Sequence, residues 1–505
     1  MMKKTLFLLG CGLLAALGLQ AQSKTSTQTD KVRYKMYLNY HEDVLPDFST
    51  FGEADAEGVT DIFDLEGIPG ENGDHYALLL EYDLPVKKAD TFSFRLCSDD
   101  GSRLYIDDNL LLDLDGAHGP IVKEVSLLLG KGTHAVRVEY FEKWKSQSLS
   151  LFYKTPSTEY IALGSTVTAQ KTPDFVLPQA KEAAQRLNAW KGKDEVVVFP
   201  ILTDIHTCNR ETYRHIGYIA ELDKFFHYDF MVNLGDIGLN TEPAHSSKAF
   251  ADGIIEKTRG EMAKFPGVFL YAPGNHDYDG GEGVHISSGE LSDLFQKPSL
   301  PYANGNLHLS ENNCWCYYDL PKKNMRLILL NSQNTETEGE YYYTYEEDQL
   351  EWLIKLLEET PKDFSVLVMG HFMPHPVGHW GELGPRVSPT TQILMEILSA
   401  YRNRTMGENG GLHWNFESAE GRLVGLFTGD SHVNALACEE GVNYFISQGY
   451  GKMENEELAP GQKRAWFNSR KTLCCDLIAI KPATGEVHTF RIGAGGADLD
   501  YLFSY

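Results

Sequence analysis

Val196-Val197-Val198-Phe199-Pro200-Ile201-Leu202-Thr203-Asp204-Ile205-His206 is the stretch on which the larger part of the chain is read. Its first seven residues are apolar and mostly β-branched. A run so short and continuous predicts a strand buried on both faces. Asp204 and His206 then follow at its end, where a strand gives way to a loop. Downstream the pattern alternates: helix-like 213–228, strand-like 230–234, helix-like 248–264, strand-like 268–272. Such alternation predicts βαβ units and a largely parallel sheet. Thr344 and Glu347 have capping-box spacing before Leu350, Leu353, Ile354 and Leu357, which share one helical face. The chain then becomes β-rich at 365–369, 423–428, 444–447, 473–480 and 487–492. A two-sheet α/β sandwich with helices outside accommodates these elements, and residues 195–495 are assigned to it.

Five polar clusters each follow one of these strands. They are Asp204-Ile205-His206, Gly235-Asp236, Gly274-Asn275-His276-Asp277, Gly370-His371 and Gly429-Asp430-Ser431-His432. Loops beyond the strand ends of such a sheet converge on one crevice. Carboxylates, an amide and imidazoles gathered there suit divalent ions, two of which can clamp a phosphate and acidify a water. Singly, Asp-x-His or Gly-His carries little information. All five in order are specific.

The pattern closely resembles the calcineurin-like metallophosphoesterases, from Val196 toward the C-terminus. The resemblance implies phosphate ester hydrolysis at two divalent ions (Mn, Fe, Zn or Mg) and a small phosphorylated substrate. By motif position, Asp204, His206 and His432 bind one ion, Asp236 bridges, and Asn275 and His371 bind the other. His276 is no ligand there but protonates the leaving group, with Asp277 orienting it. One departure stands out: the family has histidine where this chain has Asp430. Either Asp430 takes that ligand place, favouring harder ions, or the second ion is weakly held. The further aspartate common in the second motif is also absent from Gly235-Asp236-Ile237-Gly238.

Other polar residues invite blander readings. Of 17 histidines, four lie in the clusters. His375 and His379 face substrate or merely fill a loop; Arg464 with Trp466-Phe467-Asn468 is a similar late candidate. Tyr341, Tyr342 and Tyr343 read as packing or loop surface, and the charges from 336 to 347 as a solvated face.

Upstream, 31–155 reads as all-β. Phe92, Phe94 and Leu96 alternate with polar residues, as do Val136, Val138 and Tyr140, then Leu149, Leu151 and Tyr153. Turns such as Gly130-Lys131-Gly132 separate the runs, the pattern of an antiparallel sandwich. With Ser98-Asp99-Asp100-Gly101-Ser102 inside it, the stretch resembles the PA14 domain. In some PA14 lectins, paired aspartates hold a calcium ion that touches sugar, so the resemblance implies carbohydrate and calcium as candidate partners through Asp99 and Asp100. The alternative is a turn, which Asp and Gly favour; calcium takes about 6–8 oxygen ligands, and the rest are not evident. Residues 156–194, with three prolines and a helix-like 179–190, read as a linker.

Lys3 and Lys4 precede an apolar run ending near Leu19-Gln20-Ala21, a signal-peptide pattern over 1–21 with cleavage after Ala21. Cys11 offers a lipoprotein alternative. Either predicts export to the periplasm, cell surface or medium, and no run reaches the ~18 apolar residues of a transmembrane span. The net charge of −26 excludes a general nucleic-acid binder. Cys97, Cys208, Cys314, Cys316, Cys438, Cys474 and Cys475 show no disulfide or zinc spacing and read as small hydrophobes. Two function classes remain: an active phosphoesterase, or a glycan-binding surface protein whose phosphoesterase domain has degenerated at Asp430.

Overall fold

The alternation in the N-terminal stretch sorts its side chains into one dry layer. Phe92, Phe94, Leu96, Val136, Val138, Tyr140, Leu149 and Leu151 are all buried in a single core. In this computed structural model, two antiparallel sheets enclose that core. One runs Ala56–Thr60, Val32–Leu38, Tyr76–Val86, Gly132–Glu142, Ser102–Ile106, Asn109–Leu114; the other runs Ile161–Ala162, Ser148–Lys154, Asp90–Asp99, Ile121–Leu129. The structure describes residues 31–505 except 61, 66–67, 69–73, 120, 145–146, 159–160, 165–175, 207–211, 239–247, 279–284, 334–342, 379–387, 450–457, 459–461 and 464–472. The signal-peptide reading therefore lies outside the described residues, as do Cys208, His379, Arg464, Trp466, Phe467, Asn468, Tyr341 and Tyr342.

At the Asp99-Asp100 turn, Asp100 is left-handed, with φ 59°. Its Oδ1 accepts from His118 N at 2.9 Å and its Oδ2 from Lys143 N at 2.8 Å. The carboxylate is thus engaged with backbone, as the turn reading expects. Nearby Glu142 is fully buried. Burial, reinforced by Asp100 and Asp99 and partly offset by the Tyr140 hydroxyl, pushes its carboxyl up to about 9. It therefore adds no negative charge to this turn at neutral pH.

The second domain is layered helix–sheet–sheet–helix. Strand Val197–Leu202 is buried at every position because its faces meet different layers. Val197, Phe199 and Ile201 enter the core between the two sheets, while Val198 and Leu202 face helices on the outside. The expected parallel sheet is mixed. Val197–Leu202, Met231–Asn233 and Phe269–Tyr271 pair in parallel. Cys474–Lys481 then joins Val197–Leu202 antiparallel, followed by Glu486–Gly493 and Leu502–Ser504. The second sheet carries a parallel run Met325–Leu329, Ser365–Met369, Arg422–Thr428, Val442–Ile446, extended by antiparallel strands at both edges. Helices Glu347–Glu358 and Pro389–Asn403 cover its outer face.

Two local expectations are corrected. The helix placed in a linker spans Val176–Lys191 and buries Val176, Ala180, Ala183 and Leu187 in the same outer core as strand Val197–Leu202. Its apolar stripe is a packing face of the second domain. Thr344 does not cap helix Glu347–Glu358, whose N-cap is Glu346 without a side-chain bond. The Thr344 hydroxyl lies instead 3.0 Å from Thr390 Oγ1 and 3.0 Å from Ser388 Oγ. A capping box does form elsewhere, between Ser287 and Glu290.

Cys97, Cys314, Cys316, Cys474 and Cys475 are buried, and Cys438 is exposed. Burial pushes the Cys316 thiol up to about 12, the behaviour of an inert core residue. Among the described residues, no helix is long and apolar enough to cross a membrane.

Candidate metal centre

Because the strands run parallel, their C-terminal ends share one side, and the five clusters lie on the loops that leave it. Asp204 and His206 follow strand Val197–Leu202, Asp236 follows Met231–Asn233, and Asn275 and His276 follow Phe269–Tyr271. His371 follows Ser365–Met369, and Asp430 and His432 follow Arg422–Thr428.

The side chains meet. His206 Nε2 and His432 Nε2 face each other at 3.4 Å, their rings 13° from parallel. His432 Nε2 is 3.8 Å from Asp204 Oδ1. The two oxygens of Asp236 divide the cluster. Oδ2 lies 3.6 Å from His206 Nε2, and Oδ1 lies 3.4 Å from His371 Nε2. On the His371 side, Asn275 Oδ1 is 3.2 Å and Asp430 Oδ1 is 3.4 Å from the same Nε2. Three triads bring donor atoms within 4.8 Å of one another: Asp204–His206–His432, Asp204–Asp236–His371, and His206–Asp236–His276. The third borrows donors from the other two. Its distinguishing member, His276, is 38% exposed where His371 and Asp204 are 0%, so it sits at the mouth.

Local backbone explains the approach. Gly235 has φ +93°, and a Cβ there would lie 2.4 Å from Gly274 N; one on Gly274 would lie 2.2 Å from Asp236 Oδ1. The two loops touch only because both positions lack a side chain. Asp204, His206, Asp236, Asp430 and His432 have φ of 51°, 39°, 52°, 64° and 49°. Left-handed non-glycine residues cost on the order of 1–3 kcal/mol each and concentrate at functional sites. Here five fall within a single cluster.

Electrostatics fit a cation. Asp204 Oδ1 is buried and accepts no hydrogen bond, a costly state for a carboxylate oxygen and one a metal ion relieves. Burial raises the Asp204 carboxyl above its usual range, against the pull of His432 and His371. Burial also pushes on Asp236, but His371, His276 and His206 outweigh it and hold that carboxyl well below its usual range. His371, which burial alone would lower, is held well up by Asp236, Asp430 and Asp204. Its Nδ1 lies 2.7 Å from Leu234 O, fixing the ring so that Nε2 points into the cluster.

Asp277 is corrected in role. Its carboxylate accepts from Tyr271 OH at 2.8 Å, Gly274 N at 2.9 Å and Gly238 N at 3.1 Å, and makes no hydrogen bond to His276. It braces the loop that carries Asn275. What holds His276 is its own backbone N–H, which donates to Asp236 Oδ1 at 2.9 Å. His375 pairs with Glu439 at 3.0 Å and stacks on Tyr444, matching the loop-filling alternative. Two contributors were not anticipated. Thr203 Oγ1 donates to Asp204 Oδ2 at 2.7 Å, and Tyr343 OH donates to Asp430 Oδ1 at 2.6 Å. Adjacency to Asp204 offered a signal for Thr203; an aromatic run offered none for Tyr343.

A family model for the PA14 domain matches residues 34–166, running past the boundary expected at 155. No curated protein matches the chain. Among solved structures, the PA14 sugar-binding domain from an RTX adhesin is 19% identical, covering 27% of this chain and 95% of that one with TM-score 0.24. A dimetal phosphatase from Danio rerio is 13% identical, covering 62% of this chain and all of that one (100%) with TM-score 0.43. GAP50, the anchor in the inner membrane complex of Plasmodium, is 13% identical, covering 61% and 88% with TM-score 0.35.

Proposed function

We propose that this chain is an exported phosphoesterase that hydrolyses phosphate mono- or diesters at two divalent ions, drawn from Mn, Fe, Zn or Mg. The observation that carries the reading is Asp236, whose Oδ2 faces His206 while its Oδ1 faces His371. Asp204, His206 and His432 would hold one ion, Asn275, His371 and Asp430 the other, and Asp236 both. Bound there, such ions supply positive charge to the phosphate and acidify a water. The chain's own residues do the rest. His276, at the mouth beside Asp236, donates a proton from its ring to the departing oxygen. Asp277 and the Gly235–Gly274 contact keep Asn275 and Asp236 in register. Carbohydrate binding by the PA14 domain is a secondary reading supported by the domain match; Asp100's bonds to backbone weigh against calcium there.

The test is hydrolysis of a nitrophenyl phosphomonoester and a bis(nitrophenyl) diester, with Mn²⁺ and then with chelator. Manganese-dependent turnover of either supports the proposal; turnover of neither, with metal bound, favours a binding protein. His276→Ala should slow alkyl phosphate hydrolysis by about 10²–10⁴-fold, the usual worth of a general acid. Nitrophenyl esters, whose leaving group needs no proton, should suffer far less, and metal content should be unchanged. Near-normal rates on alkyl esters would remove His276 from that role.

A further inference from the structure

Resting on the two-ion reading above, we propose that Tyr343 is a positioning residue that makes Asp430 an effective ligand in a place where imidazole is the usual donor. Its hydroxyl lies in the half of the cluster formed by Asn275, His371 and Asp430. It donates to Asp430 Oδ1 at 2.6 Å and stands 3.5 Å from Asn275 Oδ1. The Asp430 bond has the length of a charge-assisted O–H···O⁻ contact.

The chemistry explains why aspartate needs such a partner. A neutral imidazole presents one free nitrogen along one direction, whereas a carboxylate has two oxygens and about four lone-pair positions. A donor on one oxygen selects the rotamer and leaves defined lone pairs on that atom for a cation. It also offsets burial of the charge, since Asp430 is only 8% exposed. Asp430's backbone is already anchored, its N–H donating to Asp204 Oδ2 at 3.0 Å. The tyrosine is anchored too. Its ring stacks on Phe372 with centroids 3.8 Å apart and planes 9° from parallel, and its carbonyl accepts from Ser388 N at 3.1 Å. Phe372 adjoins His371, so a single tyrosine ties the His371 loop to the Asp430 loop. Outer partners of this kind set ligand orientation and are commonly worth about 10–100-fold in metal affinity.

The experiment is calorimetric titration of the metal-stripped full chain with Mn²⁺. The unsubstituted protein should take up two ions. Tyr343→Phe, which keeps the ring on Phe372, should bind the first ion unchanged and the second about 10–100-fold more weakly. Asp430→Asn should weaken the same site, and the double variant should be no worse than Asp430→Asn, because the hydroxyl acts through that carboxylate. A Tyr343→Phe protein that binds both ions as tightly as the parent overturns the inference, as does full additivity with Asp430→Asn. Failure of the unsubstituted protein to take up a second ion overturns the two-ion reading itself.

Discussion

Asp236→Asn should lower turnover by on the order of 10³-fold or more, above the 10–100-fold expected of an outer-shell partner, and should reduce bound metal from two ions. Asparagine keeps the shape but loses one anionic oxygen and all net charge. The oxygen that remains faces either His206 or His371, whereas the native carboxylate faces both, at 3.6 Å and 3.4 Å. Three imidazoles that now hold the Asp236 carboxyl low would also lose their shared countercharge. Kinetics on the best nitrophenyl ester, beside elemental analysis of the same sample, provide the check. Turnover within tenfold of the parent would mean that Asp236 does not bridge.

Arg491→Leu should destabilise the fold by about 3–5 kcal/mol, the usual cost of breaking a buried ion pair. Arg491 and Asp476 are both 0% exposed. The guanidinium donates to Asp476 Oδ2 at 3.1 Å, Gln448 O at 2.8 Å and Ala494 O at 2.8 Å. Leucine would leave Asp476 buried with only Asn434 Nδ2 at 2.9 Å and Ser447 Oγ at 2.7 Å. These partners flank the centre: Asn434 follows His432 by two residues, and Gln448 precedes Gly449, which packs on the Thr203 backbone. Replacing both charges with apolar residues should cost less than removing arginine alone. Denaturant unfolding distinguishes the cases, and an Arg491→Leu loss under about 1 kcal/mol would refute the account of this pair.

The C-terminal half of the fold was legible because its strands are buried on two faces. Val366 and Val368 enter one core while Leu367 and Met369 enter another, so continuous apolar runs marked the sheets and the polar residues after them stood out. The PA14 sandwich was legible from alternation for the complementary reason, one dry face per sheet. Contacts that depend on tertiary geometry were not legible. Thr344 and Glu347 have capping-box spacing, but the threonine's hydroxyl is taken by Thr390 and Ser388. The helix Val176–Lys191 sits among prolines, and no local signal shows that its stripe belongs to the second domain. Asp277 neighbours His276 in sequence, but its carboxylate is drawn to Tyr271 and two backbone amides. Tyr343 is held at the centre by its stack on Phe372 and by Ser388 N donating to its carbonyl, both residues distant in the chain.

Anomalous scattering from crystals of the full chain grown with Mn²⁺ would locate the bound ions themselves. Two peaks about 3.5–4 Å apart are expected, one beside Asp204, His206 and His432, the other beside Asn275, His371 and Asp430, with Asp236 between them. A single peak, or peaks away from Asp236, would contradict the two-ion reading.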